Sequence, residues 1–257
     1  MAANNSSGSL YTHIANQIAT VSFGHSASNS FPSELLTRLT NELALLSNNP
    51  EVVVIVLKSD GDGAFCAGAS FDELLAVSNL EESTAFFSGF AHLINAMRTC
   101  SKIIVGRIHG KAVGGGVGIA AACDYTFASD EAAVKLSEIA LGFGPFVIEP
   151  AVSRKIGKTA FAELALAPQE WKNVYWAKEK GLYAQVFDSV TAMDKEIGFY
   201  TEKLARFNPE ALTALKETLW EGTENWDTLL TERAKISGKL VLSDFAKEAL
   251  MKLMKSE

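Results

Sequence analysis

Cysteine is scarce here, and nothing in its placement gives it a special role. Cys66, Cys100 and Cys123 are an odd number with no CxxC pair, which fits reduced thiols and not a disulfide framework. Four scattered histidines, His13, His25, His92 and His109, form no HExxH, so no metal-binding motif is present. The chain lacks a Lys/Arg-rich run and carries a formal charge of -7, which argues against a nucleic-acid partner. No apolar run reaches the roughly 20 residues of a membrane-spanning helix. The opening MAANNSSGS lacks the basic and apolar regions of a secretory leader. Residues 1–9 are expected to be a disordered tail, and the protein is expected to be cytoplasmic, with no membrane partner.

What is present is a large apolar fraction, 48% of 257 residues, enough for one sizeable core. LYTHIA and IATVSF (10–15, 18–23) read as a strand hairpin. SELLTRLTNELALLS (33–47) carries leucines at helical spacing after Pro32. EVVVIVLKS (51–59) is a continuous β-branched run, as in a parallel strand buried on both faces. Helices are predicted over 71–77 and 81–98, a second buried strand over 103–110, a helix from GGGVGIAAACD and a third strand at YTFAS. This alternation predicts an α/β fold with a mostly parallel sheet. Short helical pieces are expected over 134–166. From about 190 the pattern is helical: 191–206, 209–221, 226–240 and 243–255.

Two glycine-rich stretches, DGDGAFCAGAS (60–70) and GKAVGGGVG (110–118), each follow a buried strand and precede a helix. Ligands of open α/β sheets sit outside the carboxyl ends of strands. Backbone N–H groups at a helix start favour a negative oxygen, and glycine lets the backbone approach it closely. Neither stretch matches GxxxxGK[ST] or GxGxxG. Two such loops side by side suit an oxyanion hole.

With ELALLSNNPEVVVIVLKSDGDGAFCAGASFDEL (42–74), KIIVGRIHGKAVGGGVGIAAACDYTFAS (102–129), LSEIALGF (136–143) and the weaker ARFNPEALTALKETLWEG (205–222), the chain resembles the crotonase superfamily, the enoyl-CoA hydratase/isomerase family. The resemblance implies a spiral core of strand–strand–helix turns over 10–190 and a helical trimerisation region over 191–257. It implies a homotrimer or a dimer of trimers, an unsaturated acyl-CoA substrate, and no cofactor beyond the CoA that the substrate carries. The thioester oxygen would lie between the N–H groups of Ala69 and Gly115. CoA would run along Cys66, Ala67 and Gly68 and past His25 and Ser26. Phe71, Leu75, Gly114, Phe143 and Phe146 would line the pocket.

Hydratases of the family use two glutamates. One position matches Glu138 in LSEIALG; the other falls on Gly118. The resemblance therefore implies chemistry with Glu138 as the single acid/base, as in the isomerases or in methylglutaconyl-type hydratases. Glu149 is the best candidate for a second acid. A non-catalytic acyl-CoA binder, a decarboxylase and a thioesterase are the alternatives on the same fold.

Overall fold

The computed structural model describes residues 7–254. The predicted hairpin is β1 (Ser9–Ala15) and β2 (Ile18–Gly24), paired antiparallel. Most of the expected 1–9 tail lies outside the described residues, and Ser9 already belongs to β1. Helix α1 (Ser33–Ser47) buries Leu35, Leu36, Leu39, Leu43 and Leu46, the stripe that the leucine spacing predicts. Strand β3 is Val54–Ser59, α2 is Phe71–Ala76 and α3 is Leu80–Thr99. Strand β4 (Ile103–Ile108) leads through the two-residue β5 (Ala112–Val113) into α4 (Gly115–Ala122), and β6 is Tyr125–Ser129.

The main sheet has the order β1-β2-β3-β4-β6-β9, with β9 at Gln185–Phe187, and every pairing after the hairpin is parallel. Its two faces belong to different cores. Ile55, Leu57 and Ile104 face the larger one, and Val54, Val56 and Val105 the smaller. That explains the unbroken apolar run of β3, since a strand covered on both sides has no polar face to alternate with. A small second sheet joins β5, β7 (Ala133–Lys135) and β8 (Lys172–Asn173).

After β7 come a single 3₁₀ turn at Glu138–Leu141 and α5 (Glu149–Ala165), which kinks at Gly157. Then follow α6 (Val174–Glu179), α7 (Val190–Leu204), α8 (Pro209–Leu219), α9 (Trp226–Val241) and α10 (Asp244–Met254). The last two helices share the main core, to which Trp220, Trp226, Leu230, Ala234, Val241 and Leu250 belong, while Met193 and Ile197 of α7 and Leu212 of α8 belong to the smaller one. Helix α9 lies along α3. At their crossing, a Cβ on Gly238 would come 2.9 Å from the Thr84 nitrogen, and Ser83 Oγ donates to Gly238 O at 2.9 Å.

Helix α8 is tied down by charge. Lys216 Nζ lies 2.9 Å from Asp124 Oδ2, and both side chains are 2% exposed. The amine also donates to Lys102 O. Asp124 in turn accepts from Trp220 Nε1 and Ile104 N–H, both at 2.8 Å. Every strong partner of this buried pair is present, which is the condition under which such a pair is tolerated. No helix among the described residues is long and apolar enough to cross a membrane.

Candidate active site

The two glycine-rich loops emerge side by side because β3 and β4 are parallel neighbours. They are stitched together: Cys66 N–H donates to Lys111 O (3.2 Å), and Val113 N–H to Cys66 O (2.9 Å). Gly68 has φ +90, and a side chain there would press on Val113 O at 2.9 Å.

Around Ala69, Gly68 O accepts from Phe31 N–H (2.8 Å) and Ser70 N–H donates to Phe31 O (3.1 Å). Successive N–H groups of an extended segment point to opposite sides, so the Ala69 N–H turns away from Phe31. It has no acceptor among the described residues. Gly115 is the first residue of α4, where an N–H has no intrahelical partner, and it too has no acceptor among the described residues. Phe90 packs on Gly115 so closely that a Cβ there would lie 2.7 Å from its Cζ.

Ala69 and Gly115 both border a cavity. Its wall takes Ala67, Gly68 and Ala69 from one loop and Val113, Gly114 and Gly115 from the other, with Phe71, Phe87, Phe90, Phe143 and Phe146 as the aromatic lining. Glu138 enters from the 3₁₀ turn, 9% exposed. Burial pushes its carboxyl up to about 7, partly offset by the backbone N–H groups of Glu138 and Ser137. Its Oε2 has no hydrogen-bond partner among the described residues. The carboxylate rests on Gly114, which has φ +52 and where a Cβ would come 2.7 Å from Oε1. Glycine at 114 thus serves both a backbone turn and the space for the acid.

The other expected residues separate into groups. Ala67, Gly68, Ala69, Phe71, Gly114, Gly115, Glu138, Phe143 and Phe146 meet at the cavity. Cys66 does not: it is fully buried beneath the loop, its thiol pushed up to about 12 by burial and accepting the Gly68 N–H at 3.3 Å. Leu75 faces a separate groove with Val77, Val241 and Leu250. His25 and Ser26 lie outside the cavity, in the segment whose Ser28 O receives the Ala67 N–H.

Glu149 is buried but does not line the cavity. Its carboxylate is held by Ser153 Oγ (2.7 Å) and Lys158 Nζ, with Arg233 at 3.8 Å. The arrangement thus corrects the expectation of a second acid at Glu149. Nor is there space for one at 118. A Cβ on Gly118 would lie 2.7 Å from Ile148 Cβ, and Ile148 is part of the cavity wall.

Phe87, Phe90, Ile148 and Ser237 were not legible as cavity residues. Phe87 and Phe90 read as packing of α3, and Ser237 comes from α9, far along the chain. No spacing signal could reveal a wall built across such distances.

The sequence profile described as Enoyl-CoA hydratase/isomerase matches residues 13–253. The peroxisomal Delta(3,5)-Delta(2,4)-dienoyl-CoA isomerase of Arabidopsis thaliana is 26% identical over 238 residues, 86% of this chain and 84% of that protein. The mitochondrial enoyl-CoA hydratase of Pongo abelii is 28% identical over 221 residues, 86% of this chain and 73% of that protein. Among solved structures, the enoyl-CoA hydratase of Bacillus halodurans superposes with a TM-score of 0.88 at 20% identity, covering 95% of this chain and 99% of that one. An enoyl-CoA hydratase from Mycobacterium avium gives 0.85 at 24% identity and 98% of both chains. At these identities the superpositions speak for the fold, which is the crotonase fold. The profile match over almost the whole chain places the protein in the enoyl-CoA hydratase/isomerase family, as an enzyme of the hydratase/isomerase type.

Proposed function

We propose that this enzyme shifts the double bond of an unsaturated acyl-CoA thioester with Glu138 as its single acid/base. The observation that carries this reading is the pairing of Glu138 in the cavity with Ile148 in the space a second carboxylate at 118 would need. Hydration by the two-glutamate scheme uses one group to activate water and another to deliver a proton. An allylic shift calls for one group that takes a proton and returns it elsewhere.

The thioester oxygen accepts from the Ala69 and Gly115 N–H groups. Glu138, ionised, removes a proton from C2 of a 3-enoyl thioester. The C2–H electrons form the C1–C2 double bond of the enolate, and the charge goes to the oxygen between the two donors. On collapse, C2–C3 becomes the double bond, the C3–C4 π electrons bind the proton that Glu138 returns to C4, and the 2-enoyl product forms. A carboxyl near 7 is matched to both halves of the step. Fixed donors need no reorganisation as the charge develops, and each is worth on the order of 3 kcal/mol in barrier.

CoA is proposed to run past Ala67 and Gly68 towards the His25–Ser26 segment. A homotrimer or a dimer of trimers fits the exposed Phe199, Phe207, Leu215 and Leu219 of the C-terminal region, since apolar surface of this kind favours assembly. Incubation with 3-enoyl and 2-enoyl CoA thioesters tests the reaction. Conversion of the 3-enoyl to the 2-enoyl thioester is expected. Hydration of the 2-enoyl thioester without isomerisation would refute the isomerase reading and favour a single-base hydratase.

A further inference from the structure

We infer that α3 acts as a ruler that limits the acyl chain to about six carbons, closed by the α3–α9 contact at Ser83 and Gly238 and flanked just before that end by the Phe87–Phe143 pair. The inference rests on the reading that an acyl-CoA thioester sits between Ala69 and Gly115. It concerns a different property, the length of the chain beyond the thioester.

Phe87 and Phe90 bring two successive turns of α3 to the cavity wall. At one end Phe90 packs on Gly115, where the thioester carbon is placed. One turn back, Phe87 meets Phe143 with ring centroids 5.6 Å apart. A further turn back, Ser83 bonds to Gly238 O, and the neighbouring Ser237 forms part of the cavity wall. There the backbones of α3 and α9 touch, since a Cβ on Gly238 would come 2.9 Å from the Thr84 nitrogen. No chain can pass between helices in backbone contact. Ser237 Oγ also donates to Gly144 O at 3.3 Å, which ties this end to the loop carrying Phe143.

The depth follows from the geometry of α3. Ser83 and Phe90 are seven residues apart, about 10 Å at 1.5 Å per residue. A methyl carbon must stop about 4 Å short of the atoms it meets, which leaves about 6 Å. An extended chain advances about 1.2 Å per bond, so about five bonds follow the thioester carbon.

The experiment measures binding of saturated acyl-CoA thioesters, from butanoyl to dodecanoyl, to the intact protein by calorimetry. Affinity should rise about fourfold per added methylene and stop rising near six carbons. In Phe143→Leu and Phe87→Leu, both checked for native melting, the octanoyl-to-hexanoyl affinity ratio should rise about tenfold. Uninterrupted tightening to dodecanoyl overturns the ruler and leaves the thioester reading intact. A break that neither folded variant moves overturns the assignment to Phe87 and Phe143. No binding at any length overturns both the ruler and the reading beneath it.

Discussion

Ile148 fills the space that a side chain at Gly118 would occupy: their Cβ atoms would stand 2.7 Å apart. Absence of the acid and presence of the isoleucine are therefore one feature. Gly118→Glu alone should destabilise the fold by about 1–3 kcal/mol through overpacking and gain no hydratase activity. Pairing it with Ile148→Ala should restore most of that stability. Urea denaturation of the single and double variants checks this, and equal loss in both would refute the steric account.

Glu138→Gln retains the shape of the acid and removes the proton transfer proposed for it. Turnover of a 3-enoyl thioester should fall by about 10²–10⁴, while affinity for a saturated acyl-CoA stays within a few-fold. Steady-state kinetics beside calorimetry separates the two. Unchanged turnover would end the assignment of Glu138 as the base.

The raised Glu138 carboxyl has a signed effect on both activity and stability. Its value in the fold, about 7, lies above the ordinary 4.5, so the fold favours the protonated form. That contribution to stability is full below 4.5 and is lost as pH rises through about 7, amounting to about 3 kcal/mol when loss is complete. Glu138→Gln should therefore melt like the wild type at acid pH and higher than it above neutrality. In the wild type, kcat/KM should rise through about pH 7 to a plateau, because the base must be ionised to act. Paired melting curves and a pH–rate profile give both readings.

Lys216→Met leaves Asp124 buried without its cation. Breaking a buried pair from one side costs about 3–5 kcal/mol. Chemical denaturation should show a loss in that range. A loss below about 1 kcal/mol would mean that the Trp220 and Ile104 donors satisfy Asp124 by themselves.

The long elements were legible because their periodicity is strong. The leucines of α1 and the β-branched run of β3 report burial directly. The strands β5, β7, β8 and β9 have two or three residues each, too few to show a period, and they went unread. At the site, Gly114, Gly115 and Glu138 stand in recognisable motifs. Ile148 and Ser237 do not, because their roles lie in contacts with residues distant along the chain. Glu149 shows the reverse: a carboxylate at a plausible position was drawn to Ser153 and Lys158 on its own helix, a partnership that single-residue reasoning did not weigh.

The closure of α9 over α3 also bears on how the protein is made. The glycine-rich loops and Glu138 are made first, but the end wall waits for Ser237 and Gly238 of α9, which are made much later. Until then Phe87 and Phe143 lack their cover, just as Asp124 lacks its counter-charge until Lys216 is made. Growing chains bury their N-terminal parts first, so this half-built pocket is an apolar surface open to chaperones until α9 has been made.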